Sequence, residues 1–142
     1  MGGTGLTTKL IANKCYRVIA SDISKKQIKK TIKATEDYDN IIYVKLSKAS
    51  PFKKGMFDRV ISVLALNYFV KPKKELKKIK NSLRVGGKVS FLALIAPTIT
   101  THPFLHHNRT IKIVFKEAGF KQIKVDRIKS AGIEYIYITA RK

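Results

Sequence analysis

Gly3-Thr4-Gly5 and Asp22 are the residues whose types and spacing point to a ligand. Glycines let a backbone turn tightly and come close to a bound molecule. A helix that opens directly behind them offers unpaired N–H groups. The pattern from Leu6 to Asn13 is such a helix, and a short apolar run, Tyr16 to Ala20, leads on to Asp22. An acid roughly 20 residues beyond a glycine loop, at the tip of the next strand, can accept hydrogen bonds from ribose hydroxyls. This is the layout of a nucleoside-binding α/β domain, entered without the strand that ordinarily precedes the glycines. Two plainer readings compete. A glycine-rich start also makes a flexible end, and Asp22 is also an acid at a helix N-terminus, where the macrodipole favours it.

Other chemistry-bearing residues carry less. His102, His106 and His107 fall in a tract rich in Thr, Pro and His, Pro97 to Asn108. A histidine there can serve as general base toward a hydroxyl. His102 and His106 have the spacing of a helical metal pair, but Pro103 interrupts a helix and no carboxylate is close in sequence. Histidines of a loop or cap without further duty are the simpler expectation, and no metal is expected. Asp58 is expected to hold a loop before a strand. Cys15, the single cysteine, is expected to pack near a strand. It excludes an internal disulfide and any cysteine-based metal cluster.

The elements that must position these residues follow from periodicity. Thr4 or Gly5 caps the first helix, with Leu6, Leu10 and Ile11 as its apolar positions. Val18-Ile19-Ala20 reads as a buried parallel strand. Ser24 caps a helix from Lys25 to Ala34, with Ile28 and Ile32 on one face. Asp37 to Asn40 is a turn, Ile41 to Leu46 a strand, and Lys48 to Gly55 a loop. Val60 to Leu66 is a long apolar strand introduced by Phe57-Asp58-Arg59. Pro72 opens a helix to about Leu83, with Leu76, Ile79 and Leu83 inward. Gly86-Gly87 turns the chain, and Val89 to Ala96 is another strand. A helix from Arg109 to Ala118 ends at Gly119. Ile123 to Ile128 and Ile133 to Ala140 form an antiparallel hairpin joined near Ala131-Gly132, with Tyr135 and Tyr137 alternating against Ile136 and Ile138. Strands alternating with helices predict an α/β fold, a mostly parallel sheet flanked by helices.

The bulk numbers bound the function. With 142 residues, of which 44% are hydrophobic, one domain with a real core is expected. No apolar run approaches the roughly 18 residues of a membrane span, and no stretch resembles a signal peptide. A cytoplasmic protein with no membrane partner is expected. The charge is extreme, 30 Lys and Arg against 9 Asp and Glu, a net +21. Such a field attracts polyanions, and RNA is a partner it could take. Lysine enrichment is also a habit of thermophile surfaces, although there glutamate rises with it, and here it does not.

The chain resembles the class I S-adenosylmethionine-dependent methyltransferases, and within them the small-molecule group that includes the ubiquinone/menaquinone-type enzymes. The likeness covers nearly the whole chain. Gly2-Gly3-Thr4-Gly5 looks like the later part of the glycine motif. Ala20-Ser21-Asp22-Ile23-Ser24 is similar to the ending of the second strand. Ser50-Pro51-Phe52 followed by Met56-Phe57-Asp58 resembles the stretch leading into strand four. Leu83-Arg84-Val85-Gly86-Gly87-Lys88-Val89 looks like the turn before strand five, with Val85 where the family has proline. Glu117-Ala118-Gly119-Phe120 is similar to the end of the late helix.

The resemblance implies a Rossmann-like sheet with the usual first strand missing, and a closing antiparallel hairpin. It implies S-adenosylmethionine as cofactor and an unknown, small-molecule methyl acceptor. Gly3, Thr4 and Gly5 would approach the methionine part, Asp22 the ribose hydroxyls, and Ile23 the adenine face. The backbone of Ser47 would meet the adenine edge, and Val63 would line the donor site. Leu46 stands where the family often has an acid for the adenine amino group. Asn67-Tyr68-Phe69 lacks the prolines of the base-amine methyltransferases, so Tyr68 and Phe69 are expected to cover the core. A sheet without its middle strand needs completing: strands two and four could pair directly, or a second copy or a partner chain could lend a segment. Two functions stand: methyl transfer, or a non-catalytic, truncated methyltransferase-like remnant that binds RNA or a protein through its basic surface.

Overall fold

The helix that follows the glycines has its small residues inward and its leucines outward. The computed structural model describes residues 5–47, 51–97, 99 and 101–142, so Gly3 and Thr4 lie outside the described residues. Helix α1 spans Leu6–Ala12 and buries Thr8 and Ala12. Leu6 and Leu10, expected inside, are exposed. Gly5 is its N-cap, at φ 86°, without a side-chain cap. A Cβ on Gly5 would stand 2.8 Å from the Ala34 Cβ and 3.2 Å from the Thr31 Cα. Both residues lie in or on helix α2, Lys25–Ala34. The two helices approach so closely that only small residues fit between them. The same crowding buries Thr31 on α2, while Ile28 is half-buried and Ile32 exposed.

The chain divides into two compact units, Met1–Pro51 and Phe52–Lys142. In the first, strand β1 (Val18–Asp22) pairs in parallel with β2 (Ile41–Lys45), in register from Val18 opposite Ile41 to Asp22 opposite Lys45. Helix α2 is the crossover a parallel pair requires. The buried apolar set is small: Ala12, Ala20 and Ile41, with Val18, Tyr38 and Tyr43 packed against it. Cys15 is exposed rather than packed.

The second unit holds a four-stranded sheet in the order β3-β4-β6-β5. Strand β3 is Phe57–Val63, β4 is Leu83–Ile95, β5 is Lys121–Ser130 and β6 is Ile133–Arg141. The β3–β4 pair is parallel, and β4–β6 and β5–β6 are antiparallel. The strand expected to reach Leu66 stops at Val63. Leu64 turns into the left-handed region at φ 63°, and a 3-10 helix, Ala65–Tyr68, follows. The glycine pair lies within the span of β4, which begins at Leu83, and the chain bends there as expected: Gly86 has φ 74°, and the register with β3 shifts between Leu83 and Lys88. Helix α3, Pro72–Ser82, and helix α4, Asn108–Glu117, cover one sheet face. There Leu76, Phe91, Ile111, Phe115, Ile136 and Ile138 are fully buried. Phe91 and Phe115 meet edge to face at 5.7 Å. The hairpin turns at Ala131 and Gly132, and its alternation is as expected, with the two isoleucines inward and Tyr135 and Tyr137 on the other face.

Candidate functional site

The first unit brings Asp22 to the end of a strand and the start of a helix. Asp22 is the last residue of β1 and only 2% exposed. Its Oδ1 accepts the Ser24 N–H at 2.8 Å, and its backbone carbonyl accepts the Leu46 N–H at 2.9 Å. Ser24 caps α2, its hydroxyl accepting the Gln27 N–H at 3.3 Å. The carboxylate is thus set by a turn that the helix start itself dictates. Ile23, the next residue, is 67% exposed. An acid held at a strand tip beside an exposed aliphatic side chain suits a ribose diol and a flat base. Leu46 adds no acceptor side chain, and Ser47 is exposed beyond it.

Two groups that sequence reasoning passed over hold this unit in shape. Asn40 donates from Nδ2 to the carbonyls of Ala12 at 2.9 Å and Cys15 at 2.8 Å, while its own carbonyl accepts the Val18 N–H at 2.9 Å. It therefore ties the end of α1 to the start of β1. Thr35 donates its single hydroxyl hydrogen to the Thr31 carbonyl at 2.7 Å. Tyr43 must then donate to the Thr35 oxygen, also 2.7 Å away. That bond joins the end of α2 to β2. Asn40 belonged to a stretch legible only as a turn, and no sequence signal marks the Thr35–Tyr43 pair.

In the second unit Val63 closes β3 opposite Leu92 and is half-buried. The backbone just beyond it is fixed twice. The Leu64 N–H reaches the Leu92 carbonyl at 2.7 Å. The Asn67 side chain donates to the Leu94 carbonyl at 2.6 Å and accepts the Leu94 N–H at 3.3 Å. Asn67 is buried and its amide is engaged with the backbone. Phe69 packs on the core, as expected, but Tyr68 is 60% exposed. Asp58 lies inside β3 rather than before it, and pairs across to Arg84 on β4 at 2.6 Å in an exposed position.

The histidine tract is local structure. His102 accepts the Phe104 N–H through Nδ1 at 3.4 Å, starting a 3-10 turn, Pro103–Leu105. Its ring meets Phe104 at 5.0 Å. His107 is the N-cap position of α4. Arg127 of β5 pins this segment, donating to the Leu105 carbonyl at 2.7 Å and to Asn108 Oδ1, and pairing with Glu134 at 3.3 Å. Among the described residues no group of His, Cys, Asp and Glu is arranged to hold a metal ion.

Comparison with known proteins identifies the family. A protein-family profile described as a methyltransferase domain matches residues 2–91. The chain is 36% identical over 102 residues to the ubiquinone/menaquinone biosynthesis C-methyltransferase of Wigglesworthia glossinidia brevipalpis, covering 67% of this chain and 41% of that protein. It is 28% identical over 137 residues to the chloroplastic 2-methyl-6-phytyl-1,4-hydroquinone methyltransferase 2 of Oryza sativa subsp. japonica, covering 89% and 39% of the two chains. The chain thus spans about two fifths of the length of these relatives. Among solved structures, the N-methyltransferase NodS of Bradyrhizobium japonicum, in complex with S-adenosyl-L-homocysteine, aligns with a TM-score of 0.76. The identity is 15%, over 99% of this chain and 74% of that one, a likeness of fold. The matched profile, the relatives and the fold agree: the chain belongs to the S-adenosylmethionine-dependent methyltransferase family of class I.

Proposed function

We propose that this chain is the core of an enzyme that moves a methyl group from S-adenosylmethionine to a small molecule, a hydroquinone ring with an apolar chain. The acceptor class is drawn from what the two relatives named above are named for. The observation that carries the cofactor reading is the buried Asp22, held at the end of parallel strand β1 by the Ser24 N–H. Asp22 would accept from the ribose hydroxyls and Ile23 would cover the base. Gly5 would bring the start of α1 within reach of the methionine part, with Gly3 and Thr4 ahead of it and Ser47 at the adenine edge. Val63, in the second unit, would line the donor site. The two units are proposed to be parts of one domain, because the family profile runs across their boundary.

The bound sulfonium supplies an activated leaving group, so methyl transfer is an in-line displacement. The protein mainly positions donor and acceptor and shapes the field around them. Asp22 and the capped start of α2 hold the donor's ribose, and no dedicated base is required of the histidine tract.

The open sheet edges favour one addition. β1 pairs only with β2, and β3 is an outer strand of its sheet, among the described residues. We propose that a further strand, from a longer form of the chain, a second copy or a partner, pairs with β1 or with β3. The basic charge keeps the RNA-binding remnant as the rival reading. It expects affinity for RNA that falls steeply with salt.

Titration calorimetry with S-adenosylhomocysteine tests the main reading. Micromolar binding is expected. Asp22→Asn keeps an oxygen for Ser24 and should weaken binding about 10- to 100-fold, the worth of charged hydrogen bonds. A folded chain that binds no cofactor, or binds it equally well as Asp22→Asn, overturns the assignment.

A further inference from the structure

We propose that the start of helix α3 forms a docking surface for an anionic phospholipid bilayer. The chain leaves the 3-10 helix and enters α3 through a short tip. Phe69 packs inward on the core, whereas Tyr68 is 60% and Val70 80% exposed. Anchoring between two outward side chains keeps the tip from folding its apolar groups away. Directly behind it, Lys71, Pro72, Lys73, Lys74 and Lys77 with Val114 of α4 line an open groove of about 400 Å³. Its walls are aliphatic: lysine stems, a proline ring and a valine.

This combination fits a lipid surface. Apolar tip residues can enter the boundary between headgroups and acyl chains. Lysines around them lie along apolar surface with their ammonium groups at the headgroup level. The carboxylates of the two helices oppose this little: Glu75 is half-buried, and Glu117 is paired with Lys73 at 3.1 Å. RNA would be gripped through stacked aromatics or arginine forks. The groove has neither, and the tip beside it carries a single exposed ring, Tyr68, where a strand-tracking site stacks successive bases. The expectation of no membrane partner came from the lack of a span. No helix among the described residues is long and apolar enough to cross a membrane, and surface docking needs none.

Docking and methyl transfer are independent properties, and co-sedimentation with vesicles reads docking alone. The full chain is expected to bind phosphatidylcholine vesicles containing phosphatidylglycerol and to leave pure phosphatidylcholine vesicles unbound. Each lysine removed from the patch should lower the partition coefficient about fivefold, so Lys71/Lys74/Lys77→Gln should lower it about a hundredfold. Val70→Asp should lower it about tenfold. Its exposure leaves the fold intact, which circular dichroism checks. Lys25/Lys26/Lys29→Gln on α2 makes the same change in net charge and should cost less than about threefold. Absence of binding to the mixed vesicles overturns the proposal, as do equal losses from the two lysine triples or indifference to Val70→Asp. Binding of an oligouridylate that is lost in the Lys71/Lys74/Lys77 variant, without vesicle binding, would assign the patch to RNA and also overturn it.

Discussion

The Asn67 side chain exchanges two hydrogen bonds with the peptide of Leu94, as a neighbouring strand would. It fastens the segment after β3 to the end of β4, at the point where Leu64 has left the strand through an unfavourable backbone conformation. Removing the amide leaves a donor and an acceptor of Leu94 in need of partners. Asn67→Ala should therefore cost about 1–3 kcal/mol in urea unfolding. A loss near zero would show that water replaces the amide without penalty.

Gly5 is constrained twice, by its φ of 86° and by its distance from Ala34. Gly5→Ala should destabilise the first unit by about 1–3 kcal/mol, the range for strained backbone. Placing it in an Ala34→Gly background should recover the part due to the clash and leave the part due to φ. Thermal unfolding of the four proteins of that cycle separates the two terms.

The Thr35–Tyr43 bond gives a smaller expectation. Tyr43→Phe removes the donor to Thr35, whose oxygen is buried. The expected cost is about 0.5–1.5 kcal/mol, the usual net worth of such a bond. Asp58 and Arg84 form a shorter contact, yet both are exposed. Their coupling in a double-mutant cycle should stay below about 1 kcal/mol. The order of the two effects, buried neutral bond above exposed ion pair, is the outcome to check.

Leu76→Ala should cost about 2–5 kcal/mol, since Leu76 is fully buried where α3 meets the core. An equal truncation at Leu10, which is 61% exposed, should change stability by less than about 0.5 kcal/mol. Equal effects would contradict the outward placement of the α1 leucines.

These residues show what could be read from the sequence and what could not. Helix α2 was legible to the residue, because Ser24 is a capping residue followed by helix formers. The hairpin was legible because its period of two is clean and Gly132 marks the turn. The inward face of α1 was not. Hydrophobic periodicity expects leucines inside, but α1 buries Thr8 and Ala12 instead, and Gly5 at its start stands against Thr31 and Ala34. The end of β3 was hidden for a different reason: Val63-Leu64-Ala65-Leu66 is apolar throughout, and a left-handed Leu64 carries no Gly or Asn to announce it. Gly86-Gly87 announced a bend, which falls within β4 as a break in its register with β3. The place of Asp22 at the end of β1 could be read because an apolar run leads up to it and a capping serine follows it. Asn40 and Asn67 could not, because each acts on carbonyls far away in sequence.

The small apolar set around Ala12, Ala20 and Ile41, beside the extensive one around Phe91 and Phe115, has a consequence for amide exchange. Local opening follows local burial, so the two units should not protect their amides equally. The amides of β1 and β2 should exchange orders of magnitude faster than those of β4 and β6. A nucleoside held by Asp22 would add its binding free energy to the less protected unit first. Slowed exchange confined to the first unit would then report occupancy of the site even where no product is formed.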